Sequence, residues 1–363
     1  MARKRAGILT FHRALNYGAV LQSYALTKIL ESQGFEACVV DYRQPSIERQ
    51  HGERALLKPR WFIKKCLMLQ PSSYFDAMSK LISNQKVFSS FLKNVPTTST
   101  CKYAGQIPQN LDLYVIGSDQ LWNLNWTGGQ LDGVFCGNFP HKTGSQIITY
   151  AVSSNRGSIQ SCSDRLKRAA ANFNQISIRE QTLSDLFINE TGCSSRCDLD
   201  PNLVANPSIW EGFINKDFAS RDYVVVYEVR RKDGFESAVS DRASAIAGKY
   251  GWEVITISSL IYNDRMISVE DFLSVFKYAK CVLTTSFHGT AMSLIFRRPF
   301  VSFALNDGAD DRYVSLLASL GLQDCVKNIE EDVNDIPVVD FSKAEEKWSA
   351  MRRSAEEYLK SYL

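Results

Sequence analysis

Cys281-Val282-Leu283-Thr284-Thr285-Ser286-Phe287-His288-Gly289-Thr290 decides how the rest of this chain is read. Residues 281–283 are apolar and suit a short buried strand. Residues 291–296 carry helical spacing, and Arg297, Arg298 and Pro299 end the run. A strand that runs straight into a helix is the repeating unit of an open α/β sheet. In such sheets ligands bind beyond the carboxyl ends of the strands, where helix N-termini offer N–H groups to anions. His288 stands at that junction, where an imidazole can steady an anion or move a proton. It can equally serve only to cap the helix. The rest of the chain has to decide between the two.

Working outward, the same pattern recurs on both sides. Residues 6–11 form a first strand, followed by a polar loop at 12–17. A helix from Gly18 is stopped by Gly34, and a second strand covers 36–42. The loop Asn16-Tyr17-Gly18-Ala19 takes the first ligand-facing position. It is not a G-x-G-x-x-G fingerprint and implies no dinucleotide. Residues 55–94 are helical in pattern and basic. Within them, residues 58–69 mix basic and large apolar side chains, which suits a helix packed on its own domain or one resting on a membrane surface.

The strand at 113–116 opens onto Gly117-Ser118-Asp119-Gln120-Leu121-Trp122-Asn123, where a carboxylate and several amides crowd a tight turn. Asp119 is also a common N-cap type. A strand at 147–152 precedes a helix at about 163–173. Ile176-Ser177-Ile178 then leads into Arg179 and Glu180. Arg179 can grip a carboxylate or phosphate, or pair with a neighbouring acid. Leu199-Asp200-Pro201-Asn202 reads as a strand end turning into a connector. The pattern restarts at 223–227, with helices at about 235–249 and 269–278 and a strand at 252–257. Residues 300–303 close the series of strands. Asp310, Asp311 and Arg312 precede a helix at 313–320 that Gly321 ends, and residues 342–363 form a charged amphipathic helix.

A chain of 363 residues suits two domains rather than one, and 45% hydrophobic with 22% charged residues gives ordinary globular cores. The expected division is 1–205, 206–340 and a helix at 341–363 packing back on the body. The expected fold class is α/β, two Rossmann-like domains facing a cleft. A net charge of +3 makes no case for nucleic acid. Nine cysteines without a C-x-x-C pair suit buried reduced thiols in the cytoplasm rather than a disulfide framework or a zinc site. No stretch approaches the roughly 18 apolar residues of a membrane span.

The stretches at 16–22, 117–123, 177–180, 199–201 and 286–290, in this order and spacing, together resemble the polysaccharide pyruvyl transferase family over residues 6–325. The resemblance implies a fold like that of GT-B glycosyltransferases. It also implies transfer of a pyruvyl group from phosphoenolpyruvate to hydroxyls of a sugar, usually as a cyclic ketal. The sugar belongs to a cell-surface polysaccharide or its lipid-linked precursor, which places the enzyme in the cytoplasm, at the inner face of the membrane.

His288 matches the family's histidine near the donor, and Arg179 an arginine proposed to hold it. Some members have an arginine two residues before the histidine, where this chain has Ser286. Either Arg312 or a lysine then supplies the missing cation, or the donor differs. Ser286, Gly289 and Thr290 complete the expected donor site. Asp119 is the candidate base for an acceptor hydroxyl, and Asn16, Tyr17, Gly18, Ser118 and Gln120 are further cleft residues. No metal or dissociable cofactor is expected, phosphoenolpyruvate acting as co-substrate. Two rival readings are a nucleotide-sugar glycosyltransferase on the same fold and a relative that binds glycan without catalysis.

Overall fold

The computed structural model describes residues 3–51, 71–258 and 266–363. The basic and apolar stretch at 58–69 lies outside them. The chain divides into two compact units, Met1–Ala205 with Arg352–Leu363, and Asn206–Met351.

The first unit is built on a parallel sheet of β1 (Arg5–Leu9), β2 (Glu36–Val39), β3 (Leu113–Ile116) and β4 (Gln146–Thr149), in the order β2-β1-β3-β4. β3 is buried at every position. That explains its unbroken apolar run, since a parallel strand is covered on both faces. Helix α1 (Tyr17–Ser32) joins β1 to β2, and α2 (Pro45–His51) and α3 (Pro71–Leu92) follow. Beyond β4 come α4 (Arg156–Ser161), α5 (Ser163–Ala170), the short strand β5 (Ser177–Ile178), α6 (Gln181–Thr191) and β6 (Arg196–Cys197). β5 and β6 pair in parallel, and a bridge from Val152 to Ile178 ties them to the segment leaving β4.

The stretch at 199–202 corrects the sequence expectation. Asp200 caps a short helix, α7 (Pro201–Val204), by accepting from the Asn202 amide, and Pro201 sits at its start. Proline there loses no hydrogen bond, because the first amides of a helix have no partner within it. Proline blocks the continuation of a helix but not its beginning.

The second unit carries β7 (Tyr223–Glu228), α8 (Ala238–Tyr250), β8 (Glu253–Ser258), α9 (Val269–Tyr278), β9 (Cys281–Thr284), α10 (Phe287–Ile295), β10 (Phe300–Ala304), α11 (Asp311–Leu320) and β11 (Val326–Asn328). All strands run parallel in the order β11-β10-β9-β7-β8. β11 is an edge strand beyond the one expected to be last. The final helix, α12 (Phe341–Lys360), spans the point at which the chain passes from the second unit back to the first. No helix among the described residues is long and apolar enough to cross a membrane.

Candidate functional site

In the second unit β7, β9 and β10 end on one edge of the sheet. Only Thr285 and Ser286 separate β9 from α10, so the first turn of that helix is set directly on the strand end. Three hydroxyls fix it there. Thr284 Oγ1 donates to the Tyr227 carbonyl at 2.6 Å and accepts from the Ser286 amide at 3.1 Å. Ser286 caps the helix, its Oγ accepting from the Gly289 amide at 3.4 Å. Thr290 Oγ1 donates to the Ser286 carbonyl at 3.0 Å and lies 2.6 Å from Ser302 Oγ. A Cβ on Gly289 would come within 2.2 Å of Thr284 Oγ1. Glycine is what allows the helix this close to the strand. His288 is 8% exposed in the first turn, its ring edge-on to Phe287 with centroids 5.2 Å apart. Of the residues expected here, Thr290 is fully buried and serves the junction, while Arg312 lies in the first turn of α11 with its Nε donating to the Ala309 carbonyl at 3.3 Å.

The same edge holds a guanidinium that sequence reasoning missed. Arg230 leaves β7 two residues beyond its end and is about four-fifths buried. Its Nη2 donates to Asp310 Oδ1 at 2.8 Å and to the Thr285 carbonyl at 3.2 Å, and its Nη1 pairs with Asp307. Thr285 Oγ1 donates back to the Arg230 carbonyl at 2.9 Å. Asp310 is itself anchored by the amides of Leu305 and Asn306 and by the Tyr313 hydroxyl. Burial alone would raise the Asp310 carboxyl, but Tyr313 and Arg230 outweigh it and hold the group below its ordinary value. Glu228, at the end of β7, is pushed the other way: burial raises its carboxyl and Arg231 offsets only part of that. The sequence signal for Arg230 was the strand itself, since the polar residues that leave a parallel strand at its carboxyl end face the ligand side.

In the first unit the corresponding edge is acidic. The Arg179 side chain is 3% exposed; Nε donates to Glu180 Oε1 and Nη1 to Asp200 Oδ2, both at 2.9 Å. Burial would lower the guanidinium, but the charges of Glu180, Asp200 and Asp119 outweigh that and raise it. One cation thus stands against three carboxylates. Ser118 donates to the Ala151 carbonyl at 3.0 Å and lies 3.4 Å from Asp200 Oδ2. Asp119 has a φ of 123°, and its Oδ1 accepts from the Gln120 amide at 2.7 Å; no helix follows it, so it is no helix cap. Asn16 caps α1 through the Gly18 amide at 2.8 Å, and Tyr17 is buried against Phe88 with centroids 5.1 Å apart. These three residues begin the helix.

His12, read as part of a polar loop, is also buried. Its Nε2 lies 2.9 Å from Asp41 Oδ1 and its Nδ1 3.2 Å from the Thr10 carbonyl. Asp41 further accepts from Arg43 Nε and Nη2 and from Thr100. Burial would raise the Asp41 carboxyl, but His12, Arg43 and Thr100 together hold it well below the usual carboxylate range. Among the described residues no cluster of three or more histidine, cysteine or acidic side chains is placed to hold a metal ion.

Solved structures similar to this chain include UDP-GlcNAc 2-epimerase from Neisseria meningitidis (10% identity, 99% of this chain and 93% of that one, TM-score 0.46). Others are UDP-GlcNAc 2-epimerase from Methanocaldococcus jannaschii (10%, 96% and 92%, 0.46) and the glycosyltransferase SnogD from Streptomyces nogalater (10%, 98% and 96%, 0.43). At these values the likeness says nothing of what this chain binds. No curated protein matches the sequence. A model of the polysaccharide pyruvyl transferases, however, matches residues 16–307, from the cap of α1 to the acid that pairs with Arg230. The match takes in both sheet edges, and the chain belongs to the polysaccharide pyruvyl transferase family.

Proposed function

We propose that this member of the family transfers a pyruvyl group from phosphoenolpyruvate to two hydroxyls of a sugar, forming a cyclic ketal. The sugar would belong to a cell-surface polysaccharide or its lipid-linked precursor. The observation that carries the reading is the junction of β9 and α10, where a helix N-terminus, His288 and the nearby Arg230 share one sheet edge. A donor with a carboxylate and a phosphate suits amide donors and a bidentate guanidinium. Ser286, where some family members have arginine, is a buried cap, and Arg230 reaches the carbonyl of the preceding residue from beyond another strand. We assign to Arg230 the cation that Ser286 does not supply. Asp307, the more exposed of its two acids, would give way to the donor.

The chemistry balances without a further cofactor. A proton is added to the methylene carbon of phosphoenolpyruvate, which leaves an oxocarbenium-like carbon for the first sugar hydroxyl. The C–O bond to phosphate breaks as the second hydroxyl closes the ring. Of the two hydroxyl protons, one restores the acid and one leaves with phosphate. His288 is the proposed acid or anion stabiliser toward phosphate, and Asp119 the proposed base for an acceptor hydroxyl. Arg179, already engaged by Glu180 and Asp200, is proposed to hold the acidic edge together rather than to carry the donor.

The test is calorimetry with phosphoenolpyruvate, with uridine diphosphate as the control ligand, followed by turnover. Saturable binding of phosphoenolpyruvate, weakened at least about tenfold in Arg230→Ala and tightened in Asp307→Asn, is the expected result. His288→Ala is expected to lose at least about a hundredfold in kcat. Binding of uridine diphosphate in place of phosphoenolpyruvate would overturn the reading, as would a His288→Ala protein with full turnover.

A further inference from the structure

The turn after β3 carries an exposed ring that the proposed reaction does not use. Trp126 is 40% exposed, yet it is held in place: its indole N–H donates to Gln120 Oε1 at 2.8 Å and its amide to the Asn123 carbonyl at 3.0 Å. Gln120 Oε1 also accepts from Asn123 Nδ2 at 3.2 Å, and Asn123 Oδ1 accepts from Asn155 Nδ2 at 2.6 Å. Asn123, 5% exposed, is the buried link beneath two partly exposed amides, Gln120 and Asn155. Asn155 is fixed in turn as the cap of α4, accepting from the Ser158 amide at 2.7 Å.

A lone exposed apolar side chain needs no explanation. A fixed indole flanked by two oriented amides is a different object. Its ring offers a flat apolar face, and an amide NH2 carries two donors and its oxygen two acceptor sites. Gln120 Oε1 already accepts twice and its Nε2 donates to the Ser154 carbonyl at 3.4 Å, so its second N–H is the group for a hydroxyl, while Asn155 has one further N–H and one further acceptor site. That combination matches a neutral sugar ring, which has an apolar C–H face and hydroxyls around its rim. An anion would ask for cations, and the groups linked here are amides. Asp119 lies next to the network in the chain, its carboxylate accepting from the backbone N–H of Gln120.

We propose that Trp126, Gln120 and Asn155 form the subsite for the acceptor sugar, the ring stacking on Trp126 and its hydroxyls bonding to the two amides. The proposal rests on the pyruvyl transfer reading for calling this sugar the acceptor, but its test uses no donor. Saturation-transfer NMR is run with the methyl β-glycosides of galactose, glucose and mannose at millimolar concentration. At least one is expected to bind the wild type. Trp126→Ala is expected to weaken it at least about tenfold, while Trp126→Phe, which keeps an apolar face, stays within about threefold. Gln120→Ala is expected to weaken it as well, and provides the reading if Trp126→Ala does not fold. Tyr103, 61% exposed and outside the network, supplies the control Tyr103→Ala, which is expected to bind as the wild type does. The proposal is overturned if no glycoside binds, if Trp126→Ala or a folded Gln120→Ala binds unchanged, or if Tyr103→Ala loses binding equally. If the glycoside binds as expected while phosphoenolpyruvate does not, the subsite stands and the donor reading alone fails.

Discussion

Gly289 has no room for a side chain, because Thr284 and Tyr227 already occupy the space around it. Gly289→Ala is expected to destabilise the protein by about 1–3 kcal/mol through overpacking. A lowered melting temperature with weakened donor binding would show both the strain and its position at the site. Asp41 makes a second prediction at this scale. Its folded pKa lies below its unfolded one, so the stability it contributes is present above the ordinary carboxylate value of about 3.9. It is lost as pH falls through the folded value. Denaturation curves measured on acidification should therefore fall more steeply for the wild type than for Asp41→Asn, which is already weaker by about 3 kcal/mol at neutral pH. His288 and Ser286 were legible in the sequence because a strand and a helix point at them from either side. The pair His12 and Asp41 was not. Twenty-nine positions separate them, and only the parallel register of β1 with β2 brings them together.

At the scale of elements, segments with an apolar run or period were read well, the four-residue β3 with its bounds as observed, and segments without one were read poorly. The spacing at 269–278 gave α9 with its bounds as observed. α11 starts at Asp311, two residues before the expected start. β11, three residues long and half-buried throughout, carries no apolar run to read. α7 was hidden because its meaning lies in Asp200, whose one carboxylate both caps the helix and pairs with Arg179. That double use is testable. Asp200→Asn keeps a capping oxygen but removes the charge, whereas Asp200→Ala removes both. Leaving a buried guanidinium short of a partner costs about 3–5 kcal/mol, and loss of the cap adds about 1 kcal/mol. Chemical denaturation should rank the wild type above Asp200→Asn, and Asp200→Ala last. Equal stability of the two variants would mean that the cap contributes nothing.

For the whole molecule, the last dozen residues belong to the first unit. Tyr358 donates to the Thr149 carbonyl at 2.9 Å and stacks on Tyr150, and the Arg196 guanidinium lies 4.4 Å from the centre of its ring. Ala355 and Leu359 are fully buried, and Arg352 Nε donates to the Leu203 carbonyl at 2.7 Å. A chain cut after Met351 would expose this apolar surface, at about 1.5–3 kcal/mol for each large side chain. The cut is expected to make the first unit the earlier of the two to yield to limited proteolysis. The same connection has a consequence for synthesis. Residues 206–351 are a continuous stretch that a ribosome delivers whole, whereas the first unit receives its closing segment, 352–363, only after all of the second unit has been made. Of the two units, the one begun first is therefore the one completed last. Until residues 352–363 emerge, the apolar surface that they cover stands open, and a surface of that kind is prone to aggregate.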